Sequence, residues 1–189
     1  MTLPLRTLVL GGARSGKSSH AEALVGMAGS VRYVATGRRD PADADWDARI
    51  DDHRRRRPTE WTTVESSADL SHTILRGDGV TIVDDLGTWL TGVLDDLAAW
   101  DAPRGTVAPV VDELVDAVRR CDHRLVMVSP EVGLSIVPET RSGRLFRDEL
   151  GVLNGRLAAV CDDVVLVVAG LPVTLKSVAA SMNSQDFTP

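Results

Sequence analysis

Gly11, Gly12, Ala13, Arg14, Ser15, Gly16, Lys17 and Ser18 follow the spacing G-x-x-x-x-G-K-[ST]. Glycines at those places let several backbone N–H groups turn toward one anion. The lysine reaches the β- and γ-phosphates of a nucleoside triphosphate, and the hydroxyl of Ser18 serves Mg²⁺. A helix beginning at the lysine adds its positive N-terminal end. The metal's second protein oxygen is expected from an acid closing another apolar strand. Val80-Thr-Ile-Val-Asp84-Asp85 supplies two such acids, and Asp84, directly after the strand, is the expected metal residue. Loop and carboxylate together predict a protein that binds a triphosphate.

A second group surrounds His53. In a helix its face would be shared by Arg49 at i−4, Arg56 at i+3 and Arg57 at i+4. Guanidinium groups disfavour imidazolium and so favour the neutral, nucleophilic imidazole. The same arginines suit phosphate oxygens. This spacing fits a helix that carries a covalent phospho- or nucleotidyl-histidine. It equally fits a solvated, charged helix face on which Asp51 and Asp52 offset the arginines.

These residues need a scaffold. Thr7–Leu10, Val31–Ala35, Val80–Val83, Leu125–Val128 and Val164–Val168 are short, continuous apolar runs, the pattern of parallel strands covered on both faces. Helical stretches fall between them, at Ser18–Met27, Trp46–Arg57, Leu86–Ala99, Val110–Cys121 and Ser142–Cys161. The alternation predicts an α/β fold. Near the end, Val164–Ala169 and Val173–Leu175 flank Gly170-Leu-Pro172 and predict a hairpin with an antiparallel edge strand. Residues 1–176 are expected to form a single domain, and 177–189 a frayed tail.

The bulk properties narrow the class. The chain has 189 residues, 43% hydrophobic and 25% charged, with a net charge of −6. That balance suits a globular protein and argues against a general nucleic-acid binder. No apolar stretch approaches the length of a membrane span. Cys121 and Cys161 have no metal-like spacing and are expected to be buried thiols in a reducing cytoplasm.

Further motifs give the chain a family likeness. They are the phosphate loop, Tyr33-Val-Ala-Thr36, Arg49-Ile-x-x-His53, Arg57-Pro58 and Trp61-x-x-x-Glu65. Farther along stand Glu131-Val-Gly133, Ile136-Val-Pro-Glu139, Arg141, Phe146-Arg-Asp148 and Asn154-x-Arg156. In this order they resemble the bifunctional adenosylcobinamide kinase / adenosylcobinamide-phosphate guanylyltransferase family of cobalamin biosynthesis. The likeness spans about Thr7 to Lys176. It implies a three-layer, RecA-like P-loop NTPase fold and a homotrimer. It implies that ATP or GTP phosphorylates the corrinoid adenosylcobinamide, and that GMP from GTP is then passed to the phosphate through His53. Lys17 would act in catalysis. Thr36, Gly37, Arg38, Arg54, Arg55, Arg56, Arg57, Glu65 and Asp84 match regions used around the nucleotide. The stretch Gly37–Ala48 looks longer than in relatives. Asp85 and Glu131 are candidate bases for the kinase step. Two other readings remain open: a small-molecule kinase with no covalent step, and an NTPase that switches a partner.

Overall fold

The computed structural model describes residues 5–39, 43–55, 57–65 and 69–178. In chain order the elements are β1 (Arg6–Gly11), α1 (Lys17–Val25), β2 (Val31–Ala35), α2 (Ala44–Arg55), β3 (Thr62–Glu65), α3 (Leu70–Leu75) and β4 (Val80–Asp84). They continue with α4 (Leu86–Asp96), α5 (Ala108–Arg120), β5 (Arg124–Pro130), α6 (Arg141–Val160), β6 (Asp163–Val168) and β7 (Leu171–Ser177). The strands form one sheet in the order β3-β2-β4-β5-β1-β6-β7. Every pairing is parallel except β6 with β7. This is the predicted α/β sheet with its antiparallel edge.

Side chains alternate across the sheet and divide the core. Leu8, Leu10, Val83, Leu125 and Met127 pack against α3, α4, α5 and α6. Val9, Val31, Tyr33, Ile82, Val126 and Val128 face the other way, onto Ala21 and Val25 of α1. The continuous apolar runs follow from this, because both faces of the inner strands are covered. One polar pair sits inside. Ser129 Oγ donates to Asn154 Oδ1 at 2.6 Å, and Asn154 Nδ2 donates to the Pro130 carbonyl at 3.0 Å. It ties the C-terminal end of β5 to α6.

Two elements were not legible in the sequence, β3 and α3. β2 keeps its predicted bounds, Val31–Ala35, while the ends of the others move by a residue or more. α2 stops at Arg55, in keeping with the bias of a residue before proline, here Arg57, against helix. α4 stops at Asp96, and Ala98 beyond it takes a left-handed conformation at φ 47°. α6 runs unbroken through Gly151 and Gly155. The hairpin closes on two residues with positive φ, Ala169 at 51° and Gly170 at 81°, so β7 already begins at Leu171. Such a pair matches the twist of the flanking strands. Most of the predicted tail, residues 179–189, lies outside the described residues.

The C-terminal ends of β1, β2, β4 and β5 lie side by side, where ligands bind in open α/β sheets. The segments leaving those ends carry the phosphate loop, Thr36, Asp84-Asp85 and Glu131. No helix among the described residues is long and apolar enough to cross a membrane.

Candidate nucleotide site

The phosphate loop joins β1 to α1 and is packed tightly. Gly16 precedes the helix at φ 92°, and Arg14 also lies in the left-handed region at φ 56°. The Ser15 carbonyl accepts a 2.9 Å hydrogen bond from the Gly170 amide. The turn of the β6–β7 hairpin therefore braces the loop, a contact nothing in the sequence announced. Lys17 Nζ donates to the Gly12 carbonyl at 3.3 Å and so folds back over the loop.

Gly11 shows how little space remains. A Cβ there would stand 2.3 Å from Ser15 Oγ and 2.8 Å from the Val167 carbonyl oxygen. Gly11→Ala is expected to push the loop off β6, at about 1–3 kcal/mol for overpacking. Thermal unfolding and binding of a non-hydrolysable GTP analogue should both weaken. An alanine variant with wild-type values in both would contradict this packing.

Opposite the loop, Asp84 is held from two sides. Ser18 Oγ donates to its Oδ1 at 3.2 Å and Tyr33 Oη to its Oδ2 at 2.5 Å. Burial foremost, then the Asp84 carboxylate, raises the Tyr33 phenol above its usual range, so it stays a donor. Among the described residues no group of three or more His, Cys, Asp or Glu could hold a metal. Ser18 and Asp84 instead offer two hard oxygens beside the loop. That donor set suits an ion that keeps its other positions for water and phosphate oxygens.

Asp85 has a different task. Its Oδ1 accepts from the Thr88 amide at 2.8 Å and caps α4. Burial, then the neighbouring Asp84, raises its carboxyl above the usual range. Thr36, buried at the end of β2, donates to the Asp85 carbonyl at 2.6 Å. It thus fixes the turn after β4 from a neighbouring strand.

A cavity of about 230 Å³ opens between these groups, lined by Lys17, Ser18, Tyr33, Gly37, Asp84, Asp85 and Thr88 on the sheet side. Ile50 of α2 and Arg57, just beyond that helix, also line it. The Arg57 guanidinium lies over the Tyr33 ring, 3.6 Å from its centre, a cation–π contact. Arg57 Nη1 donates to Thr63 Oγ1 at 3.2 Å, while its Nε is buried with no hydrogen-bond partner among the described residues. His53 belongs to α2, three residues after Ile50 and four before Arg57. Its side chain lies outside the described residues, as does Arg56.

The other expected residues are placed as follows. Gly12, Ala13, Arg14 and Ser15 line a second hollow on the far flank of the loop, with Glu131, Leu134 and Val167. Glu131 Oε1 there accepts from the Gly133 amide at 2.6 Å. Arg38 turns away from the phosphate loop and pairs with Asp96 of α4, with Nη1 to Oδ1 at 2.6 Å. Arg54 and Arg55 are exposed at the end of α2, and Glu65 is exposed at the end of β3. The structure therefore gathers Lys17, Ser18, Gly37, Arg57 and Asp84 around one cavity. It leaves Arg38 and Glu65 off that cavity wall.

A protein-family model described as cobinamide kinase / cobinamide phosphate guanyltransferase matches residues 7–175. The chain belongs to this family. It is 40% identical to the bifunctional adenosylcobalamin biosynthesis protein CobU of Escherichia coli, across 89% of this chain and 98% of the relative. To the protein of that name from Salmonella typhimurium it is 41% identical, with the same coverage. The bifunctional adenosylcobalamin biosynthesis protein CobP of Pseudomonas aeruginosa is 38% identical, across 91% and 98%. Among solved structures, an ATPase from the type III secretion system of pathogenic bacteria superposes with a TM-score of 0.54 at 12% identity. That match covers 90% of this chain but only 56% of the ATPase chain, and it speaks for the P-loop NTPase fold alone. The family accounts for the nucleotide-binding loop and for an enzyme with kinase and guanylyltransferase activities.

Proposed function

We propose that this chain first phosphorylates the aminopropanol hydroxyl of adenosylcobinamide, with ATP or GTP as donor. It then transfers GMP from GTP to the new phosphate, giving adenosylcobinamide-GDP and pyrophosphate. The observation that carries this reading is the shared cavity. Lys17, Ser18 and Asp84 line it together with Ile50 of α2, the helix that contains His53, and with Arg57 just beyond that helix.

The two steps break different bonds. In the kinase step the corrinoid hydroxyl attacks the γ-phosphorus as the bond to the leaving diphosphate breaks. Lys17 neutralises charge on the transferring oxygens, and backbone amides of residues 11–18 hold the remaining phosphates. Mg²⁺, held by Ser18 and Asp84, would neutralise further phosphate charge. In the second step a neutral His53 nitrogen attacks the α-phosphorus. The P–N bond forms as the bond to pyrophosphate breaks, and the imidazole then gives up its ring proton. The corrinoid phosphate oxygen next attacks the same phosphorus, and the imidazole leaves as it is reprotonated. Covalent catalysis splits one hard transfer into two easier ones.

Arg57 supports this arrangement. A buried guanidinium N–H without an acceptor among the described residues is a donor that a phosphate oxygen satisfies well. The exposed Arg54 and Arg55 are read as further phosphate contacts, with Arg56, Thr36, Gly37, Arg38 and Glu65 as nucleotide neighbours. For Arg38 this requires release from Asp96. The enzyme is read as a cytoplasmic homotrimer. The exposed apolar side chains Leu134, Ile136 and Val137, and those of Leu171, Val173 and Leu175 on β7, support contact between copies.

The test is direct. The purified protein, adenosylcobinamide, ATP, GTP and Mg²⁺ should yield first the phosphorylated and then the GDP-linked corrinoid by mass spectrometry. Nucleotide hydrolysis with no modified corrinoid would favour the switch-protein reading. Phosphorylation alone would favour a plain kinase.

A further inference from the structure

We infer that Tyr33 is a positioning residue with two tasks: it orients Asp84 toward the cation of the bound nucleotide, and it anchors Arg57 beside the cavity. This rests on the reading of Ser18 and Asp84 as the metal pair.

Tyr33 is the chain's one tyrosine and is 1% exposed. Its ring fills the core between the sheet and α1, a job a phenylalanine would do equally well. The hydroxyl needs a partner because burial without one is costly. Its partner is Asp84 Oδ2 at 2.5 Å, not a backbone carbonyl. Ser18 Oγ holds the other oxygen at 3.2 Å. Two donors on opposite oxygens restrict rotation of the carboxylate. The Ser18 hydroxyl can spend its hydrogen on Asp84 and keep its lone pairs for a cation.

The ring serves a second group. Arg57 lies over it at 3.6 Å, and Trp61 stacks on it with ring centres 6.2 Å apart and planes 27° from parallel. Arg57 also reaches Thr63 of β3. The segment leaving α2 is thus fastened to the side chain that orients Asp84. Asp84 and Arg57, both on the cavity wall, share this one residue.

The hydroxyl and the ring can be tested separately. Tyr33→Phe removes only the hydroxyl, and Tyr33→Leu removes the ring as well. Binding of a non-hydrolysable GTP analogue is measured by calorimetry with saturating Mg²⁺ and with EDTA. Tyr33→Phe should match wild type in EDTA but lose about three- to tenfold of the Mg²⁺-dependent gain in affinity, the scale of one ordinary net hydrogen bond. In an Asp84→Asn background the same change should add nothing. Tyr33→Leu should also weaken binding in EDTA, and Arg57→Ala should add little to it.

An undiminished Mg²⁺ gain in Tyr33→Phe overturns the inference. So does an equal loss in both backgrounds, which would mark packing alone. This second comparison holds even if the phenylalanine variant is less stable. Wild-type protein with no Mg²⁺ gain would overturn the metal-pair reading itself, and this inference with it.

Discussion

His53→Ala is expected to leave phosphorylation of adenosylcobinamide within about threefold of wild type while GMP transfer falls on the order of a thousandfold or more. The split arises because the two steps use different atoms. In the proposed mechanism the kinase step takes place at the γ-phosphorus, where Lys17, Ser18 and Asp84 are assigned and no imidazole is required. GMP transfer has no other nucleophile assigned to it, so removing the imidazole removes the route. The measurement is a pair of assays on one preparation, with ATP and adenosylcobinamide for the first step and with GTP and adenosylcobinamide phosphate for the second. A variant that still transfers GMP at more than about a tenth of the wild-type rate would sink the covalent mechanism. A variant that loses both activities equally would show that position 53 serves binding rather than transfer.

Lys17→Ala should do the opposite and depress both reactions together, each by about 10²–10³-fold. In the proposed mechanism both reactions place a triphosphate on the same loop, and Lys17 folds over that loop, 3.3 Å from the Gly12 carbonyl. Its loss leaves the backbone amides in place, so the fold should be little changed. Lys17→Arg should rescue poorly, because a planar guanidinium cannot occupy the compact position of an ammonium. Steady-state rates and the melting temperature of each variant check this. Selective loss of only one activity would mean that the two reactions use separate nucleotide sites.

The sequence carried the inner sheet well because β1, β4 and β5 are covered on both faces and are mostly apolar along their length. β3 was missed for the converse reason. It is a four-residue edge strand, Thr62–Glu65, with no buried residue. α3 is only six residues long and buries just Leu70 and Ile74. Its clearest local signal is Asp69, whose side chain caps the helix by accepting from the His72 amide at 3.1 Å.

The site divided along the same line. The phosphate loop is a local motif, so its residues could be read directly, as could Asp84 after an apolar strand. Tyr33 could not, because its role depends on the pairing of β2 with β4, which sets Ala35 beside Asp84. The lone tyrosine two residues before that pair was the available signal. Arg38 shows the limit from the other side. The family resemblance put it near the nucleotide, and in this structure α4 brings Asp96 within reach and the guanidinium pairs there. The hairpin turn at Gly170 was legible locally, but its bracing of the phosphate loop, far away along the chain, was not.

The claim at the centre of this account is a guanylyl group carried on His53. The most direct measurement uses GTP labelled at the α-phosphorus, with Mg²⁺ and no corrinoid, followed by denaturation and mapping of the label. Wild-type protein should carry acid-labile, base-stable label at residue 53, and adenosylcobinamide phosphate added before denaturation should discharge it into the GDP-linked corrinoid. Active protein with no label, or label that persists in His53→Ala, would contradict the account.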